Sequence, residues 1–526
     1  MPARYRPGRD RRAVLHRASP GASHLREQRH VAVVGGGIAG LAAAVGLAER
    51  GVRVTLLERQ VQLGGRVRAW PTGDGRTMSR GFHAFFRQYY NLRALLRRSD
   101  PALTSLIPID DYPLQRADGL RDSFAGIPRT PPVSVIGFVL RSPTFPLAAL
   151  RKVDLPAALE LVTADFPASF ARYDGESAQA FLDRLRFPHG ARHLALEVFA
   201  RSFFAHPEDF SAGELVAMFH AYFTGSSEGL LFDVPDDDYD TALWAPLGRY
   251  LTGLGVDIRT GVTVTGLAVR GDGVRVELGS EEINADGLVM AADPRAARHL
   301  LADLTGPDDT AAGAIGEWVN RLGRHDNAPP FAVNRLWLDR PVDPSRLAFL
   351  GTSGYNLLDN VSVLERFEAG ARRWSRDHGG SVVELHAYAL DPARNPAVAA
   401  QGYLREQLRA ELSAVYPETA DASVLREELL VEDDCPLVGT SPWRLRPPVD
   451  TPLERVTMAG DWVRCDWPVA LMERAATTGF LAANQLLERW GVAGQDLWTV
   501  PTQGIAARRR FAAGARAPRV ARRRSA

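Results

Sequence analysis

Three groups of residues in this chain have the types and spacing to do chemistry: Gly35-x-Gly37-x-x-Gly40, Glu58 with Gly64-Gly65-Arg66 just after it, and, near the far end, Gly460-Asp461. Glycines in the first spacing make a tight turn. They let backbone N–H groups approach a pyrophosphate and aim the positive end of a following helix, here opening at Ile38-Ala39, at its charge. Glu58, about 18 residues beyond Gly40, stands where a carboxylate would take ribose hydroxyls. The chemistry on offer is the binding of a dinucleotide.

The elements that must position these groups can be read around them. His30-Val31-Ala32-Val33-Val34 is a β-branched run of strand type, the glycines follow at once, and an Ala-rich helix runs to Arg50, stopped by Gly51. Val52 to Leu57 reads as a second parallel strand ending at Glu58, so the chain opens with a βαβ unit and the expected fold class is α/β. From Asn91 to about Trp244, Pro-punctuated loops with helical patterns at 176–185 and 213–223 suggest an inserted lid or substrate region. A helix is expected after Leu243, and strands at 256–258, 262–269, 273–278 and 287–292, the last returning to the parallel sheet. Alternation over 331–338 and 382–390 predicts a second, largely antiparallel sheet flooring a substrate cavity, with an amphipathic helix over 403–416. A strand over 456–461 precedes a last helix from about Pro468 to Trp490, with Asp466 as its expected cap and Pro468 in its first turn.

Composition bounds what else the chain can be. It has 526 residues, too many for one ordinary domain, and a formal net charge of +1 that is unevenly placed. About eight Arg stand in residues 1–30 and about eight in 501–526, leaving the body near about −13. Such ends suit solvated tails, with or without a role at an anionic membrane surface. Cys435 and Cys465 cannot build a disulfide framework or a structural zinc site, the histidines are scattered, and no metal site is expected. Arg11-Arg12 lacks the apolar run of an export signal, since His16, Arg17 and Ser19-Pro20-Gly21 follow. The most apolar stretch, 133–150, is broken by Arg141, Pro143 and Pro146, short of an unbroken membrane span. A single lysine, Lys152, occurs in the whole chain.

Arg59 through Leu63-Gly64-Gly65-Arg66 resembles the second flavin motif of the amine oxidase and carotenoid desaturase superfamily, and Ala459-Gly460-Asp461 resembles its third. The resemblance implies non-covalent FAD. Gly64 and Gly65 would let the backbone pass the diphosphate, Arg66 would neutralise it, and Asp461 would reach the ribityl–diphosphate region. The other flavin contacts it implies fall on Gly35, Gly37, Ile38, Ala39, Gly40, Glu58, Arg59, Gly81, Phe82, His83, Val264, Gly460, Leu471 and Met472. The last helix, slim through Ala475, Gly479, Ala482 and Ala483, would point its positive end at the isoalloxazine C2 carbonyl; a plain packing face is the alternative.

Within that superfamily, Gly81-Phe82-His83-Ala84-Phe85-Phe86 is similar to a stretch of plant-type phytoene and ζ-carotene desaturases. The wider segment 79–92 is more similar to the carotenoid ring desaturase/methyltransferases, the isorenieratene synthases. Leu471-Met472-Glu473 fits the same group, with Arg474 in place of the usual Gly and Thr478 in place of the usual Ser. The resemblance covers about residues 30–490. It implies oxidation of a β-ionone ring, migration of a methyl group to the neighbouring cation, loss of a proton, and a second oxidation that completes an aromatic ring, β-carotene to isorenieratene in type. His83 is the candidate proton acceptor, or else a histidine that only hydrogen-bonds flavin or backbone.

The implied architecture is a Rossmann-like FAD-binding domain interleaved with an α+β substrate domain of mostly antiparallel sheet plus helices. Residues 30–100, 245–300 and 431–495 would form the first, 101–244 and 301–430 a substrate, lid and membrane-contact domain, and 1–29 and 496–526 basic tails. Only one Gly-x-Gly-x-x-Gly turn has a convincing context, so electrons would leave through a quinone or oxygen rather than NADPH. The expected partners are a carotenoid and a membrane surface, without nucleic acid, for a cytoplasmic protein lying on the inner face of the cell membrane. The rival readings are another carotenoid desaturase or isomerase, a flavin amine oxidase, an isoprenoid-binding escort protein, and covalent flavin attachment through Cys435 or Cys465.

Overall fold

The computed structural model describes residues 10–109, 111–143, 151–186, 203–270, 273–302, 304 and 309–507. Its organising element is a five-stranded parallel sheet, in the order Asp257–Thr260, Arg53–Glu58, His30–Val34, Gly287–Met290 and Val456–Met458. His30–Val34 is buried along its whole length, as a β-branched strand covered on both faces must be. Helix Ile38–Ala48 follows it directly and is buried on every side, which only its small and aliphatic residues permit.

Helix Leu471–Arg489 packs closely on that first helix. A Cβ at Gly479 would stand 2.9 Å from Ala42 Cβ, and one at Gly46 would stand 2.9 Å from Ala483 Cβ, so the approach depends on both glycines. The small side chains expected to slim the last helix are therefore packing residues, and of that set only Ala475 also reaches the cavity described below. The helix starts later than expected. Ala470 is its N-cap, so neither Asp466 nor Pro468 belongs to its first turn.

The second sheet has seven strands, in the order Val424–Glu432, Phe331–Leu338, Ser381–Ala387, Asn360–Val363, Phe349–Ser353, Leu114–Arg116 and Arg121–Asp122. Its pairs are antiparallel except where Phe349–Ser353 runs parallel to Leu114–Arg116. Helix Gln401–Val415 lays Leu404, Leu408 and Leu412 on it at four-residue spacing.

Several sequence expectations need correction. The strand expected over 262–269 covers only Gly266–Arg270, because residues 262–264 leave the sheet to line the cavity. The inserted region is core as much as lid, since helix Ala212–Phe219 and the π-helical turn His220–Thr224 are buried almost throughout. The ends are not wholly solvated tails: Val14–His16 pairs antiparallel with Leu497–Thr499, and Asp10 accepts a hydrogen bond from Tyr90 Oη at 2.7 Å. Residues 508–526, the rest of the Arg-rich end, lie outside the described residues.

Glu214, fully buried, joins the inserted region to the last helix by pairing with Arg446 and, at 2.6 Å, with Arg474. Arg474 also donates to Val469 O at 2.9 Å and to Asp461 O at 3.3 Å. This is the role of the arginine that replaces the superfamily's glycine. Burial opposes the Glu214 charge, yet the two guanidiniums hold its carboxyl below the usual range. Arg474→Ala should leave Glu214 half-compensated and cost roughly 3 kcal/mol in urea denaturation; unchanged stability would show that the triad adds nothing.

Candidate active site

A single cavity of about 790 Å³ runs from the C-terminal end of the parallel sheet to the seven-stranded sheet. Gly35, Gly37, Ile38, Ala39, Glu58, Arg59, Gly64, Gly65, Arg66, Phe82, His83, Val264, Gly460, Asp461, Leu471 and Met472 all line it. Gly40 and Gly81 do not: Gly40 lies under the turn against Gly35 O, and Gly81 lies against the ring of His386. The structure thus brings together residues spread over more than four hundred positions.

The sheet end of this cavity fits a dinucleotide. Gly37 is the N-cap of helix Ile38–Ala48 and supplies no capping side chain, so the free N–H groups of the first turn open onto the cavity. Glu58 accepts from Gly36 N–H at 2.6 Å and from Gln60 N–H at 2.8 Å, which ties the turn to the second strand and fixes the carboxylate at the cavity wall. Gly64 N–H donates to Gly36 O at 2.9 Å, so the two glycine segments lie side by side. Arg66 and Asp461, expected at the diphosphate and ribityl region, pair with each other at 2.5 Å. Thr478, in place of serine, still accepts from Gly460 N–H at 2.9 Å and so keeps the hydroxyl function.

Further in, His83 lies on the loop between Arg76–Ser79 and Phe85–Phe86. Its Nδ1–H donates to Gly81 O at 2.8 Å; because a carbonyl only accepts, the proton sits on Nδ1 and the lone pair on Nε2. Tyr239 Oη accepts from His83 N–H at 3.0 Å and donates to Gly81 O at 2.9 Å, clamping the loop. Burial pushes the imidazole down to about 4, so it is neutral at physiological pH. Arg80, also at the cavity wall, forms a bidentate pair with Asp434.

The far wall is aromatic. Phe82 stacks on Phe349 with ring centroids 4.4 Å apart, and Tyr112, Phe124, Tyr222 and Phe331 extend the surface. Set in this wall is a polar chain: Arg335 Nη2 to Glu384 at 2.7 Å, Glu384 to His386 Nε2 at 2.9 Å, and His386 Nδ1 to Tyr388 Oη at 2.5 Å. Sequence reasoning read their strands as part of the sheet flooring the cavity but singled out none of these residues. The signal was Glu384-x-His386-x-Tyr388, polar groups at period two inside an apolar strand. Cys435 also lines the cavity, its thiol pushed up to about 12 by burial. Lys152 is exposed and outside the cavity, so no lysine can hold a water there. Among the described residues no His/Cys/Asp/Glu cluster could hold a metal ion, and no helix is long and apolar enough to cross a membrane.

A parallel sheet with a glycine turn and acid at one end of a large cavity, and an apolar wall at the other, defines a dinucleotide-dependent oxidoreductase. The chain belongs to the flavin containing amine oxidoreductase family, which matches residues 38–487. It is 54% identical over 509 residues to the carotenoid phi-ring synthase of Streptomyces griseus, with 96% of each chain covered. To the carotenoid phi-ring synthase of Chlorobaculum tepidum it is 27% identical over 617 residues, with 92% of each covered. A solved oxidoreductase from Methanosarcina mazei shares the fold at 16% identity with a TM-score of 0.62, covering 87% of this chain and 100% of that one.

Glu58→Ala should release two backbone donors and remove the carboxylate expected at the ribose. Flavin affinity, followed by fluorescence titration of the apoprotein, should fall roughly 10- to 100-fold, the worth of a hydrogen bond to a charged group; unchanged affinity would move the ribose contact elsewhere.

Proposed function

We propose that this protein is an FAD-dependent carotenoid ring desaturase of the phi-ring synthase kind, which converts a β-ionone ring into an aromatic ring with 1,2-migration of a methyl group. The observation that carries the reading is identity with phi-ring synthases along nearly the whole chain, joined to a cavity that is a polar dinucleotide cradle at one end and an aromatic wall at the other. FAD, held non-covalently, supplies the two-electron oxidations when bound. Gly37, Ile38, Ala39, Gly64, Gly65 and Arg66 hold its diphosphate, Glu58 a ribose, Val264 lies beside its adenosine half, and Asp461, Leu471 and Met472 meet the ribityl and ring end. The protein's own work is to pack the carotenoid ring against the aromatic wall, keep out water that would trap a cation, and accept protons.

We assign one of those protons to His83. Its Nε2 lone pair belongs to a neutral imidazole already anchored through Nδ1, and a carbon-bound proton next to a cationic centre is acidic enough for a base whose conjugate acid titrates at about 4. The purified protein, given β-carotene in detergent with a quinone or oxygen as acceptor, should form a product that has lost four hydrogens per ring and kept every carbon. His83→Ala should lower turnover on the order of 10²- to 10⁴-fold with flavin still bound. The acidic limb of the wild-type pH–rate profile should lie near about 4 and not between 6 and 7. Flavin reduced only by amines, or not at all, would overturn the assignment.

A membrane surface is the source of such a substrate, and of a quinone acceptor, for a protein bound peripherally to the inner leaflet. Val133, Ile136 and Leu140 on helix Val133–Arg141, and Leu155 and Leu159 on helix Leu155–Val162, are 50–71% exposed and follow helical spacing. Both helices pack on His220–Thr224, whose Tyr222 lines the cavity, and Phe138 stacks on cavity-lining Phe124 at 4.7 Å. Exposed cations at Arg129, Arg151 and Lys152 stand near the helix ends in sequence, which suits anionic headgroups. Replacing both Ile136 and Leu140 by Ser should weaken co-sedimentation with phosphatidylglycerol vesicles at least about 10-fold while sparing turnover of detergent-dispersed substrate. Equal binding by wild type and variant would rule this face out.

A further inference from the structure

Turning a β-ring into an aromatic ring takes away four hydrogens, and if each two-electron oxidation removes one hydrogen with its electron pair, two protons are left for the protein to accept. His83 accounts for one. The geometry points to Tyr388, backed by His386 and Glu384, as the acceptor of the second, the proton whose loss closes the aromatic ring. This rests on the function proposed above.

Glu384 and His386 alternate along one strand and Tyr388 follows directly at its end, continuing the same period, so their side chains share a face. Glu384 is a carboxylate: burial opposes the charge, but the Arg335 guanidinium, at 2.7 Å, and His386 hold its carboxyl at about 2. It fixes the histidine tautomer. Nε2 lies 2.9 Å from Glu384 Oε1 and 3.2 Å from the Phe82 N–H; a carboxylate only accepts, so its charge puts the imidazole proton on Nε2, and the Phe82 N–H then meets no lone pair there. Nδ1 is then an acceptor, and it takes the Tyr388 hydroxyl proton at 2.5 Å. The amide of Asn360 donates to the Tyr388 oxygen at 3.0 Å, while its own buried carbonyl oxygen has no hydrogen-bond partner. That amide is spent on holding the hydroxyl. Of the three relay residues only Tyr388 reaches the cavity.

The proton balance is direct. A ring C–H bond of the cationic substrate breaks and its electron pair becomes a ring π bond. The proton joins the Tyr388 oxygen as the hydroxyl proton passes to His386 Nδ1, and Glu384 holds the imidazolium that results. A neutral phenol is a weak base, suited to the step with the greatest driving force, and proton loss that creates an aromatic ring is that step. The stronger base, the His83 imidazole, is matched to the earlier proton, whose loss does not aromatise the ring.

The test compares wild type with Tyr388→Phe, and with His386→Asn, which offers the hydroxyl a partner that cannot take its proton. Flavin content and product masses are measured together, and flavin bleaching by one equivalent of β-carotene is followed without oxygen. In both variants bleaching should persist within a few-fold, aromatic product should fall about 100-fold, and rings short of only two hydrogens should accumulate. Aromatic product at the wild-type rate, or equal loss of bleaching and aromatic product in variants that retain flavin, would overturn the relay. If Tyr388→Phe fails to hold flavin, His386→Asn alone decides by the same product ratio. A wild-type protein whose flavin is not bleached by carotenoid would instead sink the parent function, a result distinct from either.

Discussion

The whole site depends on how closely two helices can lie. Ile38–Ala48 and Leu471–Arg489 come from opposite ends of the chain, and side chains larger than those at Gly46 and Gly479 would push them apart. Because they touch, the uncapped start of the first helix and the first residues of the last one line a single cavity. Two partial positive ends then face one space, which suits a cofactor with a negative diphosphate and a ring that gains negative charge on reduction. Glu58, Arg66 and Asp461 are useful only once this packing has set the floor beneath them.

The opposite wall follows a different constraint, the high cost of polar groups in an apolar place. Arg335, Glu384 and His386 are almost wholly buried, and each is satisfied by the next. Such a chain cannot be shortened cheaply, since losing one member strands its neighbour. The result is a row of polar side chains held rigidly behind the cavity's aromatic wall, with Tyr388 as the member that reaches the cavity. Gly81 lies against His386 and Phe82 N–H contacts its ring, so the loop carrying His83 is seated on the same chain. The two candidate proton acceptors are thus parts of one braced unit.

This division explains what could be read from the sequence. The parallel sheet, its glycine turn and Glu58 were legible because their chemistry is local: a turn, a helix start and an acid at a fixed spacing need no distant partner. The seven-stranded sheet was legible as alternation, but its polar members were not, because Glu384, His386 and Arg335 gain meaning only when strands Phe331–Leu338 and Ser381–Ala387 stand side by side. The same holds for Arg474, whose partner Glu214 lies far away in the inserted region, and for the paired chain ends, where three-residue strands at 14–16 and 497–499 carry no periodic signal of their own. The start of the last helix was misplaced because Asp466 and Pro468 look like a helix opening, whereas the chain enters it through Ala470 and a left-handed Leu471.

The arginine bias of the chain bears on the chemistry as well as the composition. With the one lysine exposed and away from the cavity, the cations beside it are guanidiniums or transient imidazoliums. A guanidinium stays protonated and is a poor nucleophile, whereas a neutral amine would attack a carbocation and end the reaction in alkylated protein. The buried thiol of Cys435 is held protonated, which likewise blunts its nucleophilicity. On the far wall the lining includes the aromatic faces of Phe82, Phe349, Tyr112 and Tyr222, beside the His83 imidazole and the Tyr388 phenol. These groups can steady a cation or take its proton, and they are slower to capture it. A wall of that composition suits a reaction in which a methyl group migrates to a cation.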